Sequence, residues 1–201
     1  MITADVVIRD IGQLVPMVAK GDDSPESIVG ATTSMALAFE KGSIVWVGPQ
    51  ASLDNEVQLE AGGTTIDAKG MIALPGLIDP HTHLVFAGSR HAEFALRLAG
   101  AEYLEILRAG GGILNTVRQT RAASKDELLE GTLRRLARLL SFGVTTCEIK
   151  SGYGLNTETE LKMLEVARAA GDTQPIRVVP TFLGAHVFPE EHKDNHDDYV
   201  K

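Results

Sequence analysis

Between residues 74 and 183, apolar runs of strand length alternate with capped helical stretches, and this alternation narrows the fold more than any other feature. Met71 to Ile78 is apolar and ends at Asp79-Pro80; Val144 to Ile149 and Ile176 to Leu183 follow as two further runs. Helical patterns lie between them. One extends from about His91 to Arg108 and is broken by Gly110-Gly111-Gly112, with a shorter one over Leu114 to Thr120. Ser124 and Glu127 form a capping-box pair that opens a helix to about Ser141. Leu129, Leu133, Leu136 and Leu140 lie on one face of it, and Gly143 is placed to end it. Thr157 and Glu160 repeat the capping pattern and open a helix to Ala170, closed by Gly171. Strands separated by helices imply a parallel sheet with crossover connections, either doubly wound or a (β/α)8 barrel. A barrel needs about 250 residues, roughly twice what residues 74–201 supply, so a barrel here is an incomplete one.

Residues 1–73 follow another style. Ala4 to Ile8 is a compact β-type run. Ala36 to Phe39 and Ile44 to Val47 read as a hairpin turning at Lys41-Gly42. Gln13 to Thr33 is rich in Gly, Asp, Ser and Pro and reads as a loop. Thr64 to Gly70 suggests a further strand and turn. The expectation is a small, mainly antiparallel β unit.

Composition sets outer limits. The chain has 201 residues and a formal net charge of -8, without a basic patch, which argues against a nucleic-acid partner. No run approaches the roughly 20 apolar residues of a membrane helix, and the start lacks the basic and apolar regions of a signal peptide. Cys147 is the single cysteine, so no intrachain disulfide forms, and a cytoplasmic location is expected. The charged stretch from Glu190 to Asp198 reads as a solvated loop or helix face.

His81 and His83 directly follow the first parallel strand. Residues i and i+2 of an extended segment point to one side, so both imidazoles can reach one ion. The C-terminal ends of barrel strands are also where barrel active sites lie. A bare H-x-H pair is a weak signal. The full string Leu74-Pro75-Gly76-Leu77-Ile78-Asp79-Pro80-His81-Thr82-His83, however, resembles the first barrel strand of the amidohydrolase superfamily. That resemblance implies a partial (β/α)8 TIM-type barrel of the metallo-dependent hydrolase kind over residues 74–201. Residues 1–73 would be the N-terminal part of a composite β-sandwich. It also implies one divalent metal ion, Zn or Fe, which activates water for attack on a carbonyl or similar carbon.

Further motifs narrow the likeness. Val85-Phe86-Ala87-Gly88-Ser89-Arg90, Gly110-Gly111-Gly112-Ile113, Glu148 to Leu155 and Thr181-Phe182-Leu183-Gly184-Ala185-His186 together resemble the imidazolonepropionase family. The family hydrolyses the cyclic amide of 4-imidazolone-5-propanoate to N-formimidoyl-L-glutamate in L-histidine degradation. The resemblance implies that Arg90 binds the propionate carboxylate, for which its planar fork is suited. It implies that Tyr153, between two glycines, meets the ring or the carboxylate. His186 would contact substrate and stabilise charge developing on the carbonyl. The expected partners are that small molecule and, for the full-length enzyme, a second copy in a homodimer. Without the family, each of these residues has an ordinary structural reading: a solvated arginine, a packed turn tyrosine, a satisfied histidine.

Other polar residues carry weaker signals. Glu148 and Lys150 share parity along their strand and are expected to pair as structural support. His192 and His196 have the spacing of a helical metal pair but lie in the charged tail, and no metal role is assigned to them. The one-metal pattern of the superfamily needs another histidine and an aspartate from later strands. The expectation is therefore an N-terminal half that is inactive or nearly so by itself. Two alternatives stand beside the leading reading: a deaminase-type amidohydrolase acting on another heterocycle, which Arg90 and the Ser151-Gly152-Tyr153-Gly154 motif disfavour, and a non-catalytic fragment.

Overall fold

The computed structural model describes residues 1–18 and 29–200. The chain divides into two compact units, Met1–Pro75 and Gly76–Lys201. Among the described residues no helix is long and apolar enough to cross a membrane.

The first unit holds a four-stranded sheet in the order β4-β3-β1-β5, from β1 (Ile2–Ile11), β3 (Met35–Glu40), β4 (Ser43–Pro49) and β5 (Val57–Asp67). The hairpin β3–β4 forms as expected. Lys41 (φ 49°) and Gly42 (φ 78°) both adopt positive φ, the backbone of a primed two-residue turn whose twist suits a hairpin. Ala4, Val7, Ala36, Ala38 and Trp46 are buried in one cluster with Leu53 and Val57. Leu53 belongs to a short helix, α1 (Leu53–Glu56). The Trp46 indole N–H donates to Glu56 at 2.9 Å, which satisfies its polar end.

The mainly antiparallel expectation needs correction. β1 and β5 run parallel, with Ile2 opposite Val57 and Arg9 opposite Asp67, so the sheet is mixed. A second parallel pair joins β2 (Gln13–Leu14) to β6 (Ile72–Ala73). Part of the expected loop from Gln13 to Thr33 is thus a short strand, and Leu14 also bridges Thr32; the rest of that loop lies largely outside the described residues. The run from Met71 to Ile78 is not one strand. Ile72-Ala73 belongs to the first unit, and a new strand starts at Leu77.

The second unit is built on a parallel sheet ordered β7-β8-β9, from β7 (Leu77–Thr82), β8 (Val144–Lys150) and β9 (Arg177–Thr181). Leu77 pairs with Val144 and Thr82 with Ile149; Thr146 pairs with Arg177 and Lys150 with Thr181. Pro80 and Pro180 sit in the two outer strands, where a missing N–H is tolerated. The connections carry α2 (His91–Leu98), α3 (Tyr103–Arg108), α4 (Ile113–Ala122), α5 (Lys125–Ser141) and α6 (Thr157–Thr173), and α7 (His196–Val200) follows β9. Cys147 and Ile149 of β8 are buried with Leu128 and Leu136 of α5 and with Met163, Val166, Ala167 and Ala170 of α6.

Three helix expectations shift. The stretch from His91 to Arg108 is two helices, because Gly100 (φ 95°) takes the left-handed conformation that ends the first. The capping box of α5 is present, with the Ser124 hydroxyl accepting from the Glu127 N–H and the Glu127 carboxylate accepting from the Ser124 N–H. Of the expected face only Leu136 is fully sealed, together with Leu128 and Thr132; Leu129 and Leu133 pack partly buried at its border. α6 is capped by Asn156, whose side chain accepts from the Thr159 N–H at 2.8 Å, and it continues past Gly171 to Thr173. Glu160 is released from capping and serves elsewhere.

Candidate active site

The face of the parallel sheet turned away from the helices carries the polar groups. Thr146, Glu148 and Lys150 of β8 lie on that side by alternation; in β7 a register shift follows Asp79, which pairs with Cys147 of the sealed face, while Thr82 pairs with Ile149 and leaves His81 and His83 on the polar side. The His81 and His83 rings lie edge to face with centroids 5.8 Å apart. His83 is half-buried, and its Nδ1 is buried without a hydrogen-bond partner. Its pKa is held below the usual imidazole range, first by burial and then by the nearby His186. An imidazole kept neutral with an unpartnered nitrogen is chemically suited to coordinate a cation. Among the described residues no group of three or more His, Cys, Asp or Glu side chains is arranged to hold a metal ion.

Glu148 and Lys150 meet as expected, at 2.7 Å, and the Thr181 hydroxyl donates to the same carboxylate oxygen at 2.6 Å. The Lys150 hydrogen bond, seconded by Thr181, holds the Glu148 carboxyl below its usual range. The Thr82 hydroxyl donates to the Glu148 carbonyl, which ties β7 to β8 directly beside the histidines.

Tyr153 and His186 come from loops that follow β8 and β9, and both converge on His83. The His186 ring stacks on the His83 ring at 4.7 Å and 9° between planes. Tyr153 lies 4.9 Å from His83 and 5.7 Å from His186. Burial raises the Tyr153 pKa, opposed by the nearby Arg90 charge, so the phenol stays a hydrogen-bond donor at neutral pH. His186 Nδ1 is 3.0 Å from the Gly152 carbonyl. A carbonyl only accepts, so Nδ1 carries the proton and Nε2 is the nitrogen left for a ligand.

Arg90 lies at the edge of this group. It lines a cavity of about 320 Å³ together with Phe86, Ser89, Thr116, Arg135 and Tyr153. Its Nε donates to Glu93 at 2.9 Å, leaving part of the guanidinium uncommitted. Arg135, which the sequence reading missed, packs its guanidinium over the Phe86 ring at 3.5 Å and donates to the Leu84 carbonyl at 2.8 Å. It adds a second cation to the cavity wall. Its signal was only a basic residue beside a leucine face.

Glu160 was also missed in its real role. It is 2% exposed, and its carboxylate accepts from the backbone N–H groups of Gly152, Gly154 and Leu155 at 2.9, 2.7 and 2.8 Å. His192 and His196 do not share a helix. His192 closes a 3-10 turn, and His196 stacks on Phe188 with centroids 3.7 Å apart. His91 accepts or donates within its own turn, to Ser89 at 2.8 Å.

No family model matches the chain. The chain shares its fold with solved hydrolase structures. A triazine hydrolase from Arthrobacter aurescens superposes with a TM-score of 0.55 at 22% identity, over 88% of this chain and 35% of that one. Atrazine chlorohydrolase TrzN from Arthrobacter aurescens TC1, complexed with zinc, gives 0.52 at 19% identity over the same shares. In sequence the chain is similar to imidazolonepropionases and corresponds to an N-terminal portion of them. It is 45% identical over 197 residues to that of Myxococcus xanthus, covering 98% of this chain and 47% of the relative. It is 47% identical over 201 residues to that of Alkaliphilus metalliredigens, again covering 98% and 47%. The chain thus spans about half the length of the curated relatives it matches.

Proposed function

We propose that this chain supplies the first half of a metal-dependent (β/α)8 hydrolase barrel. In that reading residues 1–73 are the N-terminal part of a composite β-sandwich. The whole enzyme hydrolyses the cyclic amide bond of 4-imidazolone-5-propanoate to N-formimidoyl-L-glutamate. The observation that carries the reading is the convergence of Tyr153 and His186 on His83, with Arg90 at the edge of the same cluster. A ring bearing a carboxylate needs both a flat pocket and a fixed cation, and a deaminase substrate without the carboxylate does not need the second.

His81 and His83 would hold the metal, zinc or iron; zinc is what the TrzN structure carries. When bound, the ion supplies Lewis-acid chemistry at the reacting carbon. The chain's own groups do the rest. Arg90 receives the propionate carboxylate, as a charge-assisted and geometrically specific contact. The Tyr153 phenol donates to the ring or the carboxylate. His186, anchored through Nδ1, presents Nε2 to the imidazolone carbonyl side, where charge develops. The aromatic walls from Phe86, Tyr153 and the two histidines exclude water from the ring's faces. We extend the same reading to a cytoplasmic enzyme that pairs as a homodimer; the buried free Cys147 suits a reducing compartment.

The test is a chimaera in which this chain replaces the corresponding half of the Myxococcus xanthus relative. Loss of 4-imidazolone-5-propanoate is followed with zinc or iron supplied. Turnover that His83→Ala abolishes supports the proposal. A folded, metal-loaded chimaera without turnover overturns it.

A further inference from the structure

We infer that Glu160 is a positioning residue that sets both Tyr153 and His186 by gathering the backbone N–H groups of the Gly152–Leu155 turn onto one buried carboxylate. What Tyr153 and His186 then do to a substrate rests on the function proposed above; the positioning itself does not.

The case begins with the glycines. Gly152 has φ 110°, and a Cβ there would lie 2.8 Å from His186 Nδ1 and 3.0 Å from the Leu183 carbonyl. Gly154 has no room either, since its Cβ would meet the Glu160 N at 2.7 Å and Oε1 at 2.9 Å. The turn is thus stripped of side chains where Glu160 and His186 close on it from two sides, and Tyr153 projects between them. A turn of this kind leaves several N–H groups without a ladder partner. Glu160 Oε2 takes the Gly152 N–H, and Oε1 takes those of Gly154 and Leu155. Charge-assisted bonds of this sort are about twice as strong as neutral ones.

The chain of contact continues through Gly152. Its N–H is fixed by Glu160 and its carbonyl accepts from His186 Nδ1. The peptide unit ahead of Gly152 and the one behind it are therefore both held. Arg121 closes the turn from outside, donating to the Gly154 carbonyl at 2.6 Å and the Leu155 carbonyl at 3.0 Å. Glu160 needs no place in the site to act on it. It lies on α6, beneath the turn, and acts through backbone alone.

The test needs neither metal nor substrate, so its failure is separate from failure of the proposed activity. Amide hydrogen exchange and the Tyr153 ring resonance are measured by NMR in this chain, in Glu160→Gln, and in Asn156→Ala. The glutamine keeps shape and one carbonyl oxygen, but turns an N–H toward one of the three amides. Glu160→Gln is expected to speed exchange at Gly152 about tenfold or more, to leave at least one of Gly154 and Leu155 protected, and to move the Tyr153 ring signal. Asn156→Ala weakens the same helix at its cap without touching the carboxylate. It is expected to leave the Tyr153 signal in place. An unchanged Gly152 exchange rate in Glu160→Gln overturns the proposal. So does a Tyr153 shift in Asn156→Ala as large as that in Glu160→Gln, because the effect would then belong to the helix and not to the carboxylate.

Discussion

On one face of β8, Cys147 and Ile149 are sealed beneath α5 and α6; on the other, Glu148 and Lys150 stand beside two histidines and pair with each other. The residues alternate along a single strand, so their backbone, length and neighbours are shared. What differs is the cover. Helices remove water from the first face, and its stability comes from apolar area and close packing. The second face keeps charge, and its order comes from specific hydrogen bonds among Glu148, Lys150, Thr181 and Thr82. The comparison teaches that stability and chemistry are assigned here by parity along a strand, not by region of the chain.

Four substitutions test that division. The largest expected effect on stability is from Ile149→Ala on the sealed face, a loss of about 2–5 kcal/mol in urea unfolding, because the fully packed site cannot collapse around the gap. A loss below about 1 kcal/mol would mean that the helices do not seal this face.

Cys147 gives a pH signature of the same burial. Its thiol is pushed up from 9.0 to about 11, first by burial and then by the nearby Asp79 charge. The unfolded chain loses this proton first, so the contribution to stability is full below the ordinary thiol range. It is then lost as pH rises through the folded value of about 11. The urea midpoint should fall across that window, and Cys147→Ala should flatten the fall. An equal fall in both proteins would place the cause elsewhere.

On the open face the order of effects reverses. Glu148→Gln should change stability by about 1 kcal/mol or less, since the ion pair it breaks retains solvent access. It should still disturb the site, read as a shifted Thr181 hydroxyl or His81 resonance. A stability loss as large as that of Ile149→Ala would erase the distinction between the faces. Arg90→Ala should be the mildest in stability, within about 0.5 kcal/mol, because the arginine is half-exposed and Glu93 keeps its bonds to Gly112 and Asn115. In the chimaera it should raise KM for 4-imidazolone-5-propanoate by roughly 10- to 100-fold, the worth of a charge-assisted contact. An unchanged KM would remove the carboxylate role.

The legible parts of the sequence share a property: their signals are local. Lys41-Gly42 could only turn a hairpin, and Ser124 with Glu127 closed a capping box within one helical turn. The same pattern at Thr157 and Glu160 misled because an equally local alternative, Asn156, already supplied the cap. Glu160 was then free to turn toward Gly152, Gly154 and Leu155, in a loop that precedes it. Nothing within the helix marks that choice. The parallel pairing of β1 with β5 was equally hidden, since strand composition does not record which distant strand lies alongside.

For the candidate site, the sequence alone determined which residues were worth attention. It placed His81 and His83 on one side of a strand end, because side chains alternate at a period of two. Motif likeness singled out Arg90, Tyr153 and His186. Only the tertiary structure brought Tyr153 and His186 against His83, assigned the proton of His186 Nδ1 to a bond with Gly152, and put Glu160 beneath the turn. Each of these is a contact across a loop, made when parallel strands bring the segments after them to one end of the sheet. Periodicity is written in the order of residues. Proximity across a sheet is not, and it comes into being only when the helices close over the other face.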